Sequence, residues 1–206
     1  MDAGRQSHWE NVYKTKDEHE VSWFEELPTV SLDLIHASGV NRTAAIVDIG
    51  GGASRLVDAL LGEGFENISV LDISATALEK AKARLGVRGD KVHWLVADVT
   101  TWEPVQAYDL WHDRATFHFL TTAADRAAYA DRVLQGLRRG GQLIIGTFAP
   151  DGPERCSGLP VVRQDAKSIG ELLGPAFELI EDRRYDHHTP MGAVQHFQFG
   201  RFLRRS

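Results

Sequence analysis

From Ala44 onward, short apolar and β-branched runs alternate with longer segments whose apolar residues recur at helical spacing. That alternation predicts strands joined by crossover helices, an α/β sheet with mostly parallel strands. The strands fall at 44–49, 67–73, 91–99, 108–113 and 141–148, with helices at about 53–62, 75–85 and 123–138. Asp72-Ile73-Ser74 and Thr121-Thr122 put capping side chains where two of those helices should begin. After Phe148 the pattern breaks, as Ala149-Pro150-Asp151-Gly152-Pro153 opens a loop to about Val162. A helix near 166–174 and strands at 177–186 and 194–203 follow. His187-His188-Thr189-Pro190-Met191-Gly192 reads as the hairpin turn between those strands, and Arg201-Phe202-Leu203-Arg204-Arg205 as an edge strand with a charged outer face. Ahead of Ala44, helical segments at about 7–14 and 30–38 flank Val21-Ser22-Trp23-Phe24.

The length of 206 residues, 43% hydrophobic, fits one domain over 1–206. It divides into an N-terminal helical segment (1–43), the half in which strands and helices alternate (44–148), and a loop with a C-terminal β-hairpin (149–206). No apolar run is long enough for a membrane span and the first residues are polar, so a cytoplasmic protein without membrane contact is expected. Cys156 is the single cysteine, which excludes an intrachain disulfide and a cysteine-based zinc cluster. Net charge of -6 offers nucleic acid no general attraction.

The chemistry concentrates at Asp48-Ile49-Gly50-Gly51-Gly52, where a strand passes at once into a helix through main chain without Cβ atoms. A dinucleotide fingerprint requires a third glycine, and Arg55 stands in its place. A Gly-Lys-Ser/Thr phosphate loop is absent as well. Asp48, Asp72, Asp98 and Asp113 close the first four strands and should share the carboxyl edge of the sheet, where ligands of open α/β folds bind. Each could serve alone as a turn or cap former. Together they repel phosphate and suit a cofactor bearing a sulfonium, an ammonium and a ribose diol; Asp72 follows Asp48 by 24 positions, near the spacing of a ribose-binding acid.

With His8-Trp9-Glu10-Asn11-Val12-Tyr13 and Asp113-Arg114-Ala115-Thr116-Phe117-His118-Phe119-Leu120, these residues resemble the class I S-adenosylmethionine-dependent methyltransferase family. The likeness spans about 44–203 and is greatest to its compact bacterial branch of thiopurine and lysine methyltransferase-like proteins. It implies a Rossmann-like three-layer sandwich with a seven-stranded, mostly parallel sheet whose last strand is antiparallel, and S-adenosyl-L-methionine as cofactor. By that resemblance Asp48, Gly50, Gly51 and Gly52 approach the methionine moiety, and Asp72, with Ile73 beside it, takes the ribose hydroxyls. Asp98 meets the adenine amino group beside the Val99 main chain. Ser54 departs from the family's third alternating glycine.

Trp9, Tyr13, Trp23 and Phe24 supply aromatic faces suited to a sulfonium, on a segment that either closes over the cofactor or packs as an amphipathic helix. Methyl transfer needs alignment more than a base. Should a base be required, His112, Asp113 and His118 lie near the fourth strand end, and Asp113 and His118 are carried as catalytic candidates. Phe117-His118-Phe119-Leu120 also reads as a packed apolar segment. Arg114 could pair with the cofactor carboxylate or with Asp113. No metal is expected at His187-His188, and Cys156, in a loop that could form part of the acceptor pocket, reads as an inert thiol. The acceptor expected is a small molecule or a protein side chain. A nicotinamide-dependent oxidoreductase and a non-catalytic module of the same fold are the alternatives, and the sequence leaves the oligomeric state open.

Overall fold

The structure, a computed structural model, describes residues 3–206; Met1 and Asp2, the start of the expected lid segment, lie outside the described residues. Helices α1 (Ala3–Thr15) and α2 (Thr29–Ala37) precede β1 (Ala45–Ile49), and α3 (Leu56–Gly62), β2 (Asn67–Asp72), α4 (Ala75–Leu85), β3 (Val92–Val96) and β4 (Tyr108–Arg114) follow. The chain then forms α5 (Ala123–Gly136), β5 (Leu137–Phe148), the two-residue strands β6 (Arg155–Cys156) and β7 (Leu159–Pro160), α6 (Ala166–Leu173), β8 (Phe177–His188) and β9 (Val194–Arg204).

Seven strands make one sheet in the order β3-β2-β1-β4-β5-β9-β8. The first five run parallel, while β9 pairs antiparallel with β5 on one side and with β8 on the other. β1 is buried along its whole length because both sheet faces are covered, which is why it reads as a continuous apolar run. One core layer joins the sheet to α5 and α6 through Trp111, Tyr129, Val133 and Ile169; the other joins it to α2, α3 and α4 through Ile35, Leu60 and Leu78. The order reverses between β1 and β4, so a crevice opens at the carboxyl ends of these strands.

Three expectations need correction. β3 ends at Val96 rather than 99: the Ala97 N–H makes the last bond to β2, to the Asp72 carbonyl, and the chain then turns as Asp98 Oδ1 accepts from the Thr100 N–H. His187 and His188 extend β8 instead of forming the turn. β9 is not an edge strand, because β8 pairs along its outer side, and Phe202 is fully buried beneath α6.

Candidate active site

At the end of β1 the chain turns through Gly50 (φ 64°) and Gly52 (φ 48°), a left-handed backbone that glycine adopts without strain. The Gly50 and Gly51 N–H groups both donate to the Leu71 carbonyl, pinning the turn to β2. A Cβ on Gly50 would stand 1.7 Å from Thr116 Oγ1, one on Gly51 2.5 Å from Asp48 Oδ2, and one on Gly52 2.7 Å from the Tyr13 hydroxyl. Close packing of the protein on itself therefore already demands these glycines. Gly50 and Gly51 also face the crevice.

That crevice is a cavity of two lobes at the carboxyl ends of the strands, where ligands of open α/β sheets bind. Tyr13, Trp23, Gly50 and Arg114 line both lobes. The first reaches Asp72, Ile73, Asp98, Val99 and Leu120, and the second Asp48, Gly51, Ser54, Ser31 and His112. Trp9 stands edge-on to Trp23 at 5.7 Å and to Phe119 at 5.0 Å, so the first lobe is walled by aromatic rings. Phe24 faces the second lobe, where Arg55 lies 5.8 Å over its ring.

Helix α1 forms one wall of the cavity and is fixed there by polar contacts. Glu10 accepts from the Ala75 N–H at 2.6 Å and the Thr76 hydroxyl at 2.5 Å, so a side chain of α1 satisfies the open N-terminus of α4. Gln6 donates to the Ile73 carbonyl at 3.2 Å. The hydroxyl of Tyr13 is hydrogen-bonded by Trp23 and the Ala53 main chain; burial, with the Asp72 charge nearby, pushes its ionisation far up. Next along the chain, Glu18 is clamped between Arg55 at 2.5 Å and Arg84 at 3.3 Å. Arg55, in the place of a fingerprint glycine, thus fastens the N-terminal segment to the start of α3.

The strand-end acids diverge. Asp72 Oδ1 accepts from the Ser74 N–H at 2.8 Å, and its carboxyl is pushed up to about 7 by burial and by the Asp48 and Glu10 charges. Asp98 Oδ1 accepts from Thr100 and lies 3.7 Å from Arg5. Asp113 leaves this group. It follows His112 on β4, so its side chain points to the opposite sheet face, toward α5. There Oδ1 accepts from the Thr116 and Phe117 N–H groups and Oδ2 from the Tyr129 hydroxyl at 2.8 Å. Burial pushes this carboxyl up to about 6. Its role is to fix the turn at Ala115, which holds the left-handed φ of 69° and places Thr116 against Gly50.

His118 does not reach the cavity either. It is fully buried beside Phe119 and Phe148 and held neutral, its ionisation pushed down to about 3 by burial and Arg114. Asp113 and His118 are therefore placed as packing groups, against their expectation as bases. Arg114, which lines both lobes, does not pair with Asp113: it donates to the Trp23 carbonyl at 2.9 Å and lies 3.3 Å from Glu25, a partly buried carboxyl that also meets His187 at 3.3 Å. Cys156 lines the first lobe with its thiol pushed up to about 11 by burial, which keeps it protonated and unreactive near neutral pH.

Glu10, Ser31, Glu25 and Thr116 were not singled out by the sequence. Each acts through partners far along the chain, Glu10 on Ala75 and Ser31 on His112, and no local spacing signals such pairs.

The donor set fits a cationic adenosyl cofactor: two carboxylates, apolar walls from Ile73, Ala97 and Val99 for a flat base, and ring faces beside them. Residues 46–141 match the family model described as a methyltransferase domain. Malonyl-[acyl-carrier protein] O-methyltransferase of Anoxybacillus flavithermus is 35% identical over 111 residues, covering 53% of this chain and 40% of that protein. Trans-aconitate 2-methyltransferase of Rhizobium leguminosarum is 27% identical over 126 residues, covering 61% of this chain and 46% of that protein. The chain thus aligns with less than half the length of these curated relatives. The N-methyltransferase NodS of Bradyrhizobium japonicum, solved with S-adenosyl-L-homocysteine, superposes with a TM-score of 0.75 at 15% identity, over 98% of this chain and 99% of that one. Its likeness is one of fold.

Proposed function

We propose that this chain, whose residues 46–141 match a methyltransferase domain, is a class I S-adenosylmethionine-dependent methyltransferase that moves the methyl group of S-adenosyl-L-methionine to a small-molecule acceptor. The observation that carries this reading is the convergence of Asp72, Asp98 and the Trp9, Tyr13 and Trp23 rings on one cavity at the carboxyl ends of the strands. The bound cofactor supplies a methyl carbon activated by a positive sulfur. The chain's residues hold and enclose it. Asp72 accepts the ribose hydroxyls, Asp98 the adenine amino group, and Asp48 with the Gly50–Gly51 main chain receives the amino-acid end.

The aromatic wall of α1 and Trp23 faces the cation and excludes water. With Asp113 and His118 turned into the core and Cys156 protonated, acceleration comes from alignment of the acceptor with the methyl carbon, the dominant factor in an in-line displacement. The relative named for trans-aconitate supports a free metabolite acceptor over an exposed protein side chain.

Isothermal titration with S-adenosyl-L-homocysteine tests the cofactor assignment. Wild type should bind, and Asp72→Ala should weaken binding by about tenfold to a hundredfold, the loss of hydrogen bonds to a charged group. Absence of binding to wild type refutes the assignment.

A further inference from the structure

We propose that His112 is a positioning residue of the cofactor site, holding the Asp48 carboxylate toward the cofactor's ammonium group with Ser31 seated behind it. This rests on the methyltransferase reading and adds two residues to it. Asp48 and His112 are register partners on the adjacent strands β1 and β4, so their side chains emerge together on the face covered by α2. His112 Nδ1 stands 2.7 Å from Asp48 Oδ1, and His112 Nε2 stands 2.9 Å from the hydroxyl of Ser31, in the first turn of α2.

For a neutral imidazole beside an ionised Asp48, one tautomer satisfies both partners. An ionised Asp48 accepts only, so the neutral imidazole carries its proton on Nδ1 and donates it there. Nε2 is then an acceptor, and the Ser31 hydroxyl donates to it. The three groups are 1–3% exposed, so a missing link would leave a buried polar atom unpaired. With Oδ1 occupied, Oδ2 is the oxygen directed over the glycine turn, against Gly51. Asp48, Gly50 and Gly51 line the same lobe as His112 and Ser31, which puts this oxygen where a cationic amino-acid end would lie.

The order Ser-His-Asp also occurs in acyl-transfer enzymes, where the serine attacks a carbonyl. Here the serine is 1% exposed beneath the imidazole, too enclosed to meet a carbonyl carbon. Its hydroxyl is a donor that fixes a tautomer.

The test compares S-adenosyl-L-homocysteine with 5′-methylthioadenosine, which keeps the adenosine thioether and lacks the amino-acid end. His112→Phe should weaken the first by about tenfold or more and leave the second within about twofold. His112→Asn, whose amide N–H can occupy the Nδ1 position, should restore most of the affinity, and Ser31→Ala should fall between. Equal loss for both ligands would reduce His112 to a structural role and overturn the proposal, as would unchanged affinity in all three variants. Should His112→Phe not fold, His112→Asn and Ser31→Ala still carry the comparison. Failure of wild type to bind either ligand would instead overturn the methyltransferase reading beneath it.

Discussion

Asp72 carries two roles that pull its proton in opposite directions. Without ligand, burial and the Asp48 and Glu10 charges hold its carboxyl up at about 7, well above the 3.8 of an exposed aspartate. A raised acid has the sign opposite to the usual one: its neutral form suits the folded state, so stability is fullest below about pH 4 and is lost as pH rises through 7. Asp72→Asn should accordingly gain thermal midpoint over wild type between pH 5 and 8, by roughly 5 °C at the upper end, measured by calorimetry without ligand. Ribose hydroxyls donate to the ionised form, so S-adenosyl-L-homocysteine should bind wild type more tightly at pH 8 than at pH 6. Titration in buffers of different ionisation enthalpy should register proton release on binding; a flat pH dependence would contradict this account of Asp72.

Asp113, which stood beside Asp72 in the strand-end pattern, has a different task. Asp113→Asn should keep methyl transfer within about threefold, while Asp113→Ala, which strands three buried donors, should cost more than about 3 kcal/mol in chemical denaturation. Loss of activity in a fully folded Asp113→Asn protein would restore it as a base. The sequence placed both acids at strand ends correctly, and only the face each adopts decides between ligand and turn.

Among the elements, α1 depends most on a contact the sequence conceals. Its cavity wall of Arg5, Trp9 and Tyr13 is held by Glu10 on the N-terminus of α4, 65 positions away. Glu10→Ala removes a capping interaction worth about 1 kcal/mol, or roughly 2–4 °C for a chain of this size. Hydrogen exchange should quicken along α1 while β1 and β4 keep their protection; uniform quickening would argue against local anchoring.

Strand and helix identities were legible where an apolar period ran long enough, and α4 falls on 75–85 as its pattern predicts. The hairpin of β6 and β7 was not, because two-residue strands carry no period. That β9, and not β8, lies against β5 was hidden too, since it depends on pairing between segments far apart in the chain, as between Gln142 and Leu203.

At the scale of the whole molecule, the sheet order puts the crossover reversal between β1 and β4, and the carboxyl ends of four strands empty into one enclosed crevice. The fold was readable as a parallel α/β sheet from alternation alone. The cavity's charge pattern was readable from the spacing of Asp48, Asp72 and Asp98, while its closure by α1 and residues 18–25 came from long-range pairs. Among the described residues, no helix is long and apolar enough to cross a membrane.

The activity proposed for this protein is methyl transfer to a small molecule. Incubation of the protein with methyl-tritiated S-adenosyl-L-methionine and a cell extract, separated into protein and small-molecule fractions, tests it most directly. Label should enter the small-molecule fraction and fall sharply with Asp72→Ala; label confined to protein, or no label transferred by a protein that fails to bind the cofactor, refutes small-molecule methyl transfer.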